Sequence, residues 1–219
     1  MKEKIKKILP NFLLEKYYKI KFFYEYLFFR INLCINIIKK KQIFIVVGSG
    51  PTKYKNWLST NLPWFNLLEL KSVKKCFQSR NVEKILAEHV FEHLTLEQGK
   101  RAIKNLKEIL KPNGKIRIAV PDGFNPDKKF IDWVKPNGLG TGAYDHKVLY
   151  NYKLIHEIFD EDFEIKYLEY FNENGKFIYT RWINNFDNGY IMRSRYEDKR
   201  NTKEKIKYNS IIIDAILKK

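Results

Sequence analysis

The stretch ILAEHVFEHLTLEQGKRAIKNLKEILKPNGKIRIAVPDG, residues 85–123, decides how the rest of the chain is read. A short apolar strand at 85–87 runs into an acidic turn, a long amphipathic helix follows, and a second apolar strand occupies 115–120. The helix puts Leu96, Ala102, Ile103, Leu106, Ile109 and Leu110 at the spacing of a single buried face. Lys111-Pro112 stops it, because proline has no amide to donate, and Asn113-Gly114 supplies residues that tolerate a left-handed turn. Ile116, Ile118 and Val120 then form a β-branched run closed by Pro121-Asp122-Gly123. Strand, helix and strand in this order predict two parallel neighbours in a covered sheet. Ligands of such sheets collect beyond the carboxyl ends of the strands, which singles out Glu88, His89 and Asp122.

Upstream, Ile43-Phe44-Ile45-Val46-Val47 is an apolar run of strand length that empties into Gly48-Ser49-Gly50-Pro51. A Gly-x-Gly turn lets backbone approach a ligand closely where side chains would clash. The third glycine of a dinucleotide fingerprint is missing, and residues 53–57 are too short and polar for the usual long helix. Residues 57–61 read as a second strand and 74–81 as connecting helix and loop. Downstream, a Gly- and Pro-rich loop at 124–142 leads to Ala143-Tyr144-Asp145-His146-Lys147, a helix at 148–159 and a strand at 163–171. Asn174-Gly175 and Asn188-Gly189 are turns flanked by aromatic strands at 177–182 and 190–193, which predicts an edge β-hairpin excursion within 172–209. An apolar strand at 210–217 closes the chain.

A length of 219 residues with 44% hydrophobic content suits one α/β domain with an appendage. The net charge of +17 is uneven: residues 1–41 carry ten lysines and Arg30 against Glu3, Glu15 and Glu25. That leader reads as a helix with Phe12, Tyr17, Ile20, Phe23, Leu27, Ile31, Cys34 and Ile38 recurring along it. Glu15, Lys19, Lys21, Glu25 and Arg30 break any span of the roughly 20 apolar residues that crossing a bilayer requires. Two readings stay open: a helix in the interface of an anionic membrane surface, or a helix that covers the sheet edge or a partner in a homodimer. Cys34 and Cys76 lie far apart without CxxC spacing, which argues for a reducing, cytoplasmic setting and against a cysteine metal site. The apolar runs near the start lack a small-residue cleavage site.

The Gly-x-Gly loop, the Glu88-His89 pair and the LKPNG turn together resemble class I S-adenosylmethionine-dependent methyltransferases. The blocks AEHVFEHLT, AVPDGFNPD, DHKVLYNY and SIIIDAI resemble bacterial members associated with surface-polysaccharide biosynthesis, and the resemblance covers about residues 43–217. It implies a Rossmann-like α/β fold over 42–219, mostly parallel with an antiparallel last strand, and a helical extension at 1–41. It further implies S-adenosyl-L-methionine as cofactor, with Gly48, Ser49 and Gly50 receiving its methionine part and Glu88 and His89 bordering it. The family's acidic ribose ligand is replaced by Asn61, so either Asn61 suffices or Glu69 or Glu88 takes its place. The implied acceptor is a hydroxyl of a sugar or glycan precursor.

Asp122, Asp145 and His146 are the candidates for acceptor chemistry, since a histidine beside a carboxylate suits removal of a hydroxyl proton. The structural alternative is that Asp145 caps the following helix and His146 packs at its start. Trp133, Tyr144, Tyr150 and Arg181 are further pocket candidates. His89-Val90-Phe91-Glu92-His93 also spells the H-x-x-E-H zinc hydrolase signature, but that motif belongs inside a helix and His89 directly follows a strand. Capping and first-turn packing are therefore expected of Glu92 and His93, and no metal. The positive charge and aromatic content also suit a nucleic-acid binder or nucleic-acid methyltransferase, yet no arginine-rich stripe or known nucleic-acid module is present.

Overall fold

Five consecutive buried residues make β1 (Ile43–Val47) an interior strand, and their alternation gives the sheet two different faces. Ile43, Ile45 and Val47 join one apolar cluster, Phe44 and Val46 another. The computed structural model describes residues 10–50, 52–77 and 81–218. Its sheet has seven strands in the order β2 (Leu58–Thr60), β1, β3 (Val82–Glu88), β4 (Leu110–Pro121), β7 (Ser210–Leu217), β5 (Phe163–Phe171) and β6 (Phe177–Tyr179). β2, β1, β3 and β4 are parallel, whereas β7 is antiparallel to both β4 and β5, and β6 to β5. The fold is thus a Rossmann-like α/β sheet, mostly parallel with antiparallel strands toward one edge.

Helices cover the first face: α1 (Asn11–Ile38), α2 (Leu70–Cys76) and α3 (Leu96–Lys107) contribute Phe29, Leu33, Val73, Cys76, Ala102, Ile103 and Leu106 to its cluster. Thr95 starts α3 with a capping box, accepting from the Gln98 amide while Gln98 Oε1 accepts from the Thr95 amide. The second face has no such helix, because residues 52–57, between β1 and β2, form only loop and turn. Irregular chain covers it instead, with Trp182, Tyr190 and Ile191 packed on Phe44, Val46, Leu86 and Ile212. Arg117 and Asp214 lie on this face as a buried bidentate pair, Nε to Oδ1 at 2.7 Å and Nη2 to Oδ2 at 2.8 Å. Arg117 Nη1 also donates to the Gly189 carbonyl at 2.9 Å, which ties the irregular segment to the sheet.

Four expectations are corrected. The apolar positions recurring along the leader face outward, Phe23 being 61% exposed, while Phe29, Leu33 and Tyr26 do the packing, with Trp64 and Phe77 as partners. The helix is apolar on both sides, so spacing alone does not choose between them. Residues 1–9 of that leader, like 78–80 in the connection before β3, lie outside the described residues. Among the described residues no helix is long and apolar enough to cross a membrane. Ile109 and Leu110 belong to the turn and to β4 rather than to α3, and the KPNG turn is a bulge within β4, since Val82 pairs with Leu110 but Lys84 with Lys115. The helix expected at 148–159 is the single turn of α5 (Tyr152–His156), after α4 (Lys128–Val134). The hairpin is β5–β6, closed by residues 172–176, and 190–193 is not a strand.

Candidate functional site

β1 hands the chain outward to β2, and β3 then returns on the other side of β1, so a topological switch point opens between their carboxyl ends. A cavity of about 530 Å³ lies there, within the size range of small-molecule sites. Gly48, Ser49 and Gly50 enter it from β1, and Glu88 and His89 from β3. Gly48 has φ +60°, and a Cβ on it would meet Val90 Cγ2 at 2.9 Å, so the glycine loop and the turn after β3 touch without room for a side chain.

Asn61 is part of this loop's support rather than of the cavity lining. Its Oδ1 accepts from the Gly50 amide at 2.8 Å and its Nδ2 donates to Ser49 Oγ at 3.1 Å. The amide's donor and acceptor are both engaged, which departs from the ribose role expected of it. Glu69 starts α2 and accepts from Asn66 Nδ2, also outside the cavity lining.

Glu88 accepts from the Arg193 amide at 2.7 Å; burial raises its pKa despite the nearby imidazole of His89 and that donor. His89 has φ +56°, a costly conformation for a residue with a Cβ. That turn brings its Nδ1 within 2.6 Å of Glu92 Oε1, with Nε2 3.4 Å from the Tyr208 hydroxyl. Burial opposes the imidazolium, but the Glu92 carboxylate outweighs it and the His89 pKa is raised.

Glu92 and His93 occupy a single 3-10 turn (Phe91–His93), not the long helix that a zinc hydrolase needs. Both face the cavity, contrary to the capping role expected of them. Glu92 is 1% exposed and its Oε2 has no hydrogen-bond partner among the described residues. His146 follows the 3-10 turn Ala143–Asp145 and donates Nδ1–H to the Val134 carbonyl at 2.7 Å, which leaves the lone pair on Nε2. Its ring stands edge-on to His93, centroids 4.9 Å apart. Asp145 is not the partner of His146: its Oδ2 lies 3.3 Å from His93 Nδ1, an ion-pair distance without hydrogen-bond alignment, and its Oδ1 accepts from Lys147.

Asp122 is removed from the acceptor group. It is fully buried at the end of β4, outside the cavity lining, and accepts from the amides of Phe124 and Phe171 at 3.0 and 2.6 Å, which anchors the end of β5. Burial pushes its carboxyl up to about 7 against those two donors. The unfolded chain releases this proton near the ordinary value of about 3.9, so between the two values the folded chain holds a proton that the unfolded chain lacks. Stability from this group is therefore full below about pH 4 and declines as pH rises toward 7. Asp122→Asn is expected to flatten that decline in urea titrations while leaving ligand binding in the cavity unchanged. An unaltered slope would assign it to another group.

Trp133 lines the cavity as expected, whereas Tyr150 is buried in the core and Tyr144 and Arg181 are exposed. Tyr54, Arg193, Arg200 and Tyr208 line it without having been legible in the sequence. Arg193 and Arg200 reach the buried carboxylate of Asp198, and the Arg200 guanidinium lies 4.2 Å from the Tyr208 ring centre. Both arginines remain partly exposed, so the cavity lining carries cationic groups as well as the carboxylates of Glu88 and Glu92.

No protein-family model matches this sequence, and no curated protein matches it. Solved structures similar in fold include a SAM-dependent methyltransferase from Archaeoglobus fulgidus, 14% identical, TM-score 0.42, over 87% of this chain and 92% of the other. The YcgJ protein from Bacillus subtilis is 10% identical with TM-score 0.41, over 82% and 84% of the two chains. A SAM-dependent methyltransferase from Thermotoga maritima is 11% identical with TM-score 0.40, over 74% and 63%. Likenesses at this level leave the chemistry to be argued from the site itself.

Proposed function

We propose that the chain transfers a methyl group from S-adenosylmethionine to a hydroxyl of a polar acceptor, with a sugar or glycan precursor as the acceptor class. The observation that carries this reading is the meeting of Gly48, Ser49 and Gly50 with Glu88 around one cavity at the switch point. Glycine backbone in a left-handed turn brings amides close to the cofactor's carboxylate. Of the three residues considered for the ribose hydroxyls, Glu88 is the one in the cavity lining, and a carboxylate accepts both hydrogen bonds at once. Glu88 and Glu92 also supply carboxylates to the lining, which suits a cofactor that carries a positive sulfonium.

Methyl transfer is an in-line displacement, so the protein chiefly positions the nucleophile and deals with its proton. His146 is the basic group on the acceptor side, with the Nε2 lone pair available. The partly exposed Arg193 and Arg200 suit an acceptor that carries phosphate or carboxylate. Calorimetry on cofactor-stripped protein is expected to show saturable binding of S-adenosylmethionine and of its demethylated product. His146→Ala is expected to abolish turnover and leave that affinity near normal. If neither nucleoside binds, the methyltransferase reading fails.

A further inference from the structure

We propose that Glu92, His93 and His146 form a binding site for a divalent first-row transition cation on the wall of the cavity. One ligand atom from each of the three lies within 4.8 Å of the other two, close enough for small side-chain movements to gather them at the roughly 2.0–2.2 Å that a bound ion requires. Two imidazoles and one carboxylate with open positions toward a cavity suit zinc, iron, cobalt or manganese, and suit magnesium poorly because it prefers oxygen.

Two observations point to an ion independently of the clustering. The first is Glu92 Oε2, which has no partner among the described residues in a side chain only 1% exposed. Buried carboxylate oxygens are ordinarily satisfied, and a cation is one way to satisfy them. The second is His146, whose Nδ1–H is held by the Val134 carbonyl at 2.7 Å, the arrangement that fixes the tautomer and ring direction of a metal-binding histidine. Glu92 is oriented in the same way, because His89 Nδ1 occupies its Oε1 at 2.6 Å and leaves Oε2 for the site. The set therefore differs from the H-x-x-E-H pattern: His89 holds the glutamate, and the third ligand comes from the loop after α4.

The chemistry of this site rests on the methyltransferase reading, whereas the binding does not. An acceptor hydroxyl that coordinates the cation loses its proton to solvent more readily. The resulting alkoxide forms the new bond to the methyl carbon, and the methyl–sulfur bond breaks with its electron pair returning to sulfur. His146 then acts by holding the cation.

The test is titration of EDTA-treated, dialysed full-length protein with Zn²⁺ by calorimetry and with Co²⁺ by visible absorption. One equivalent is expected to bind with Co²⁺ d–d bands of nitrogen and oxygen ligation. His93→Ala and His146→Gln are each expected to weaken binding by about a hundredfold or more, since altering even the residues that orient metal ligands costs about tenfold to a hundredfold. His156→Ala, on α5 and outside the cavity lining, is the control and is expected to bind like the parent. Glu92→Gln is added with a circular dichroism melt; since it is fully buried, the two histidine variants decide the matter if it fails to fold. No saturable binding, or binding that survives both histidine substitutions, overturns the site. S-adenosylmethionine binding measured in the same metal-free protein separates the two readings: cation binding without nucleoside binding keeps the metal site and removes its catalytic use.

Discussion

Gly48→Ala is expected to weaken binding of S-adenosylhomocysteine by about tenfold or more, and Val90→Ala in the same chain to return part of that loss. The added Cβ has two costs. A residue with φ +60° is strained by roughly 1–2 kcal/mol once it carries a Cβ, and about 1.4 kcal/mol is already tenfold in affinity. The methyl group would also sit 2.9 Å from Val90 Cγ2, and a β-branched side chain in a packed turn has few rotamers to escape into. The loop must shift, and its amides with it. Removing the Val90 methyls relieves the clash but not the strain, so the double variant should recover only the steric part. Calorimetry on the parent, both single variants and the double variant reads the coupling directly. Parent-like affinity in Gly48→Ala would exclude this loop from the binding site.

The largest loss of stability is expected from Arg117→Leu, about 3–5 kcal/mol, because it strips the buried Asp214 carboxylate of its bidentate partner. Lys115 Nζ, 3.1 Å from Asp214 Oδ2, keeps the loss from being larger. The carbonyls of Gly189 and Ile183 also lose a donor, and so the cover of the second sheet face loosens. Replacing both members of the pair, Arg117→Leu with Asp214→Leu, is expected to recover part of the loss, since the Asp214 carboxylate is then not left behind although Lys115 loses its partner. Urea denaturation of the single and double variants checks this. Equal losses in both would show that packing of Arg117 against Trp182, rather than charge, holds the segment.

The parallel half of the sheet was legible because strands buried on both faces read as unbroken apolar runs, and Ile43–Val47 is buried at all five positions. The switch point followed from the order of those runs, and it brought the glycine loop and the Glu88-His89 pair to one cavity. The irregular part of the lining was not legible. Arg193, Arg200 and Tyr208 come from chain without regular structure, where no periodicity marks which side faces the cavity. Their positions are set by polar anchors: Glu169 accepts from Trp182 Nε1, Ser194 Oγ and the Arg195 amide, and Asp198 from Arg200. Asn61 was misread for a related reason, since its partners lie in the loop that precedes its own strand. Which side of α1 packs on the protein was not legible, because the buried and exposed sides of that helix are similarly apolar.

The pinned, irregular cover has a consequence for how such a protein diversifies. Glu169, Asp198 and Asp214 hold it at a few points, and the stretches between those points contribute little to the helix-covered cluster. Substitutions and small insertions in 183–207 can remodel what the pocket accepts while the foundation under the glycine loop stays as it is. Novelty in substrate choice is thereby uncoupled from the folding of the scaffold.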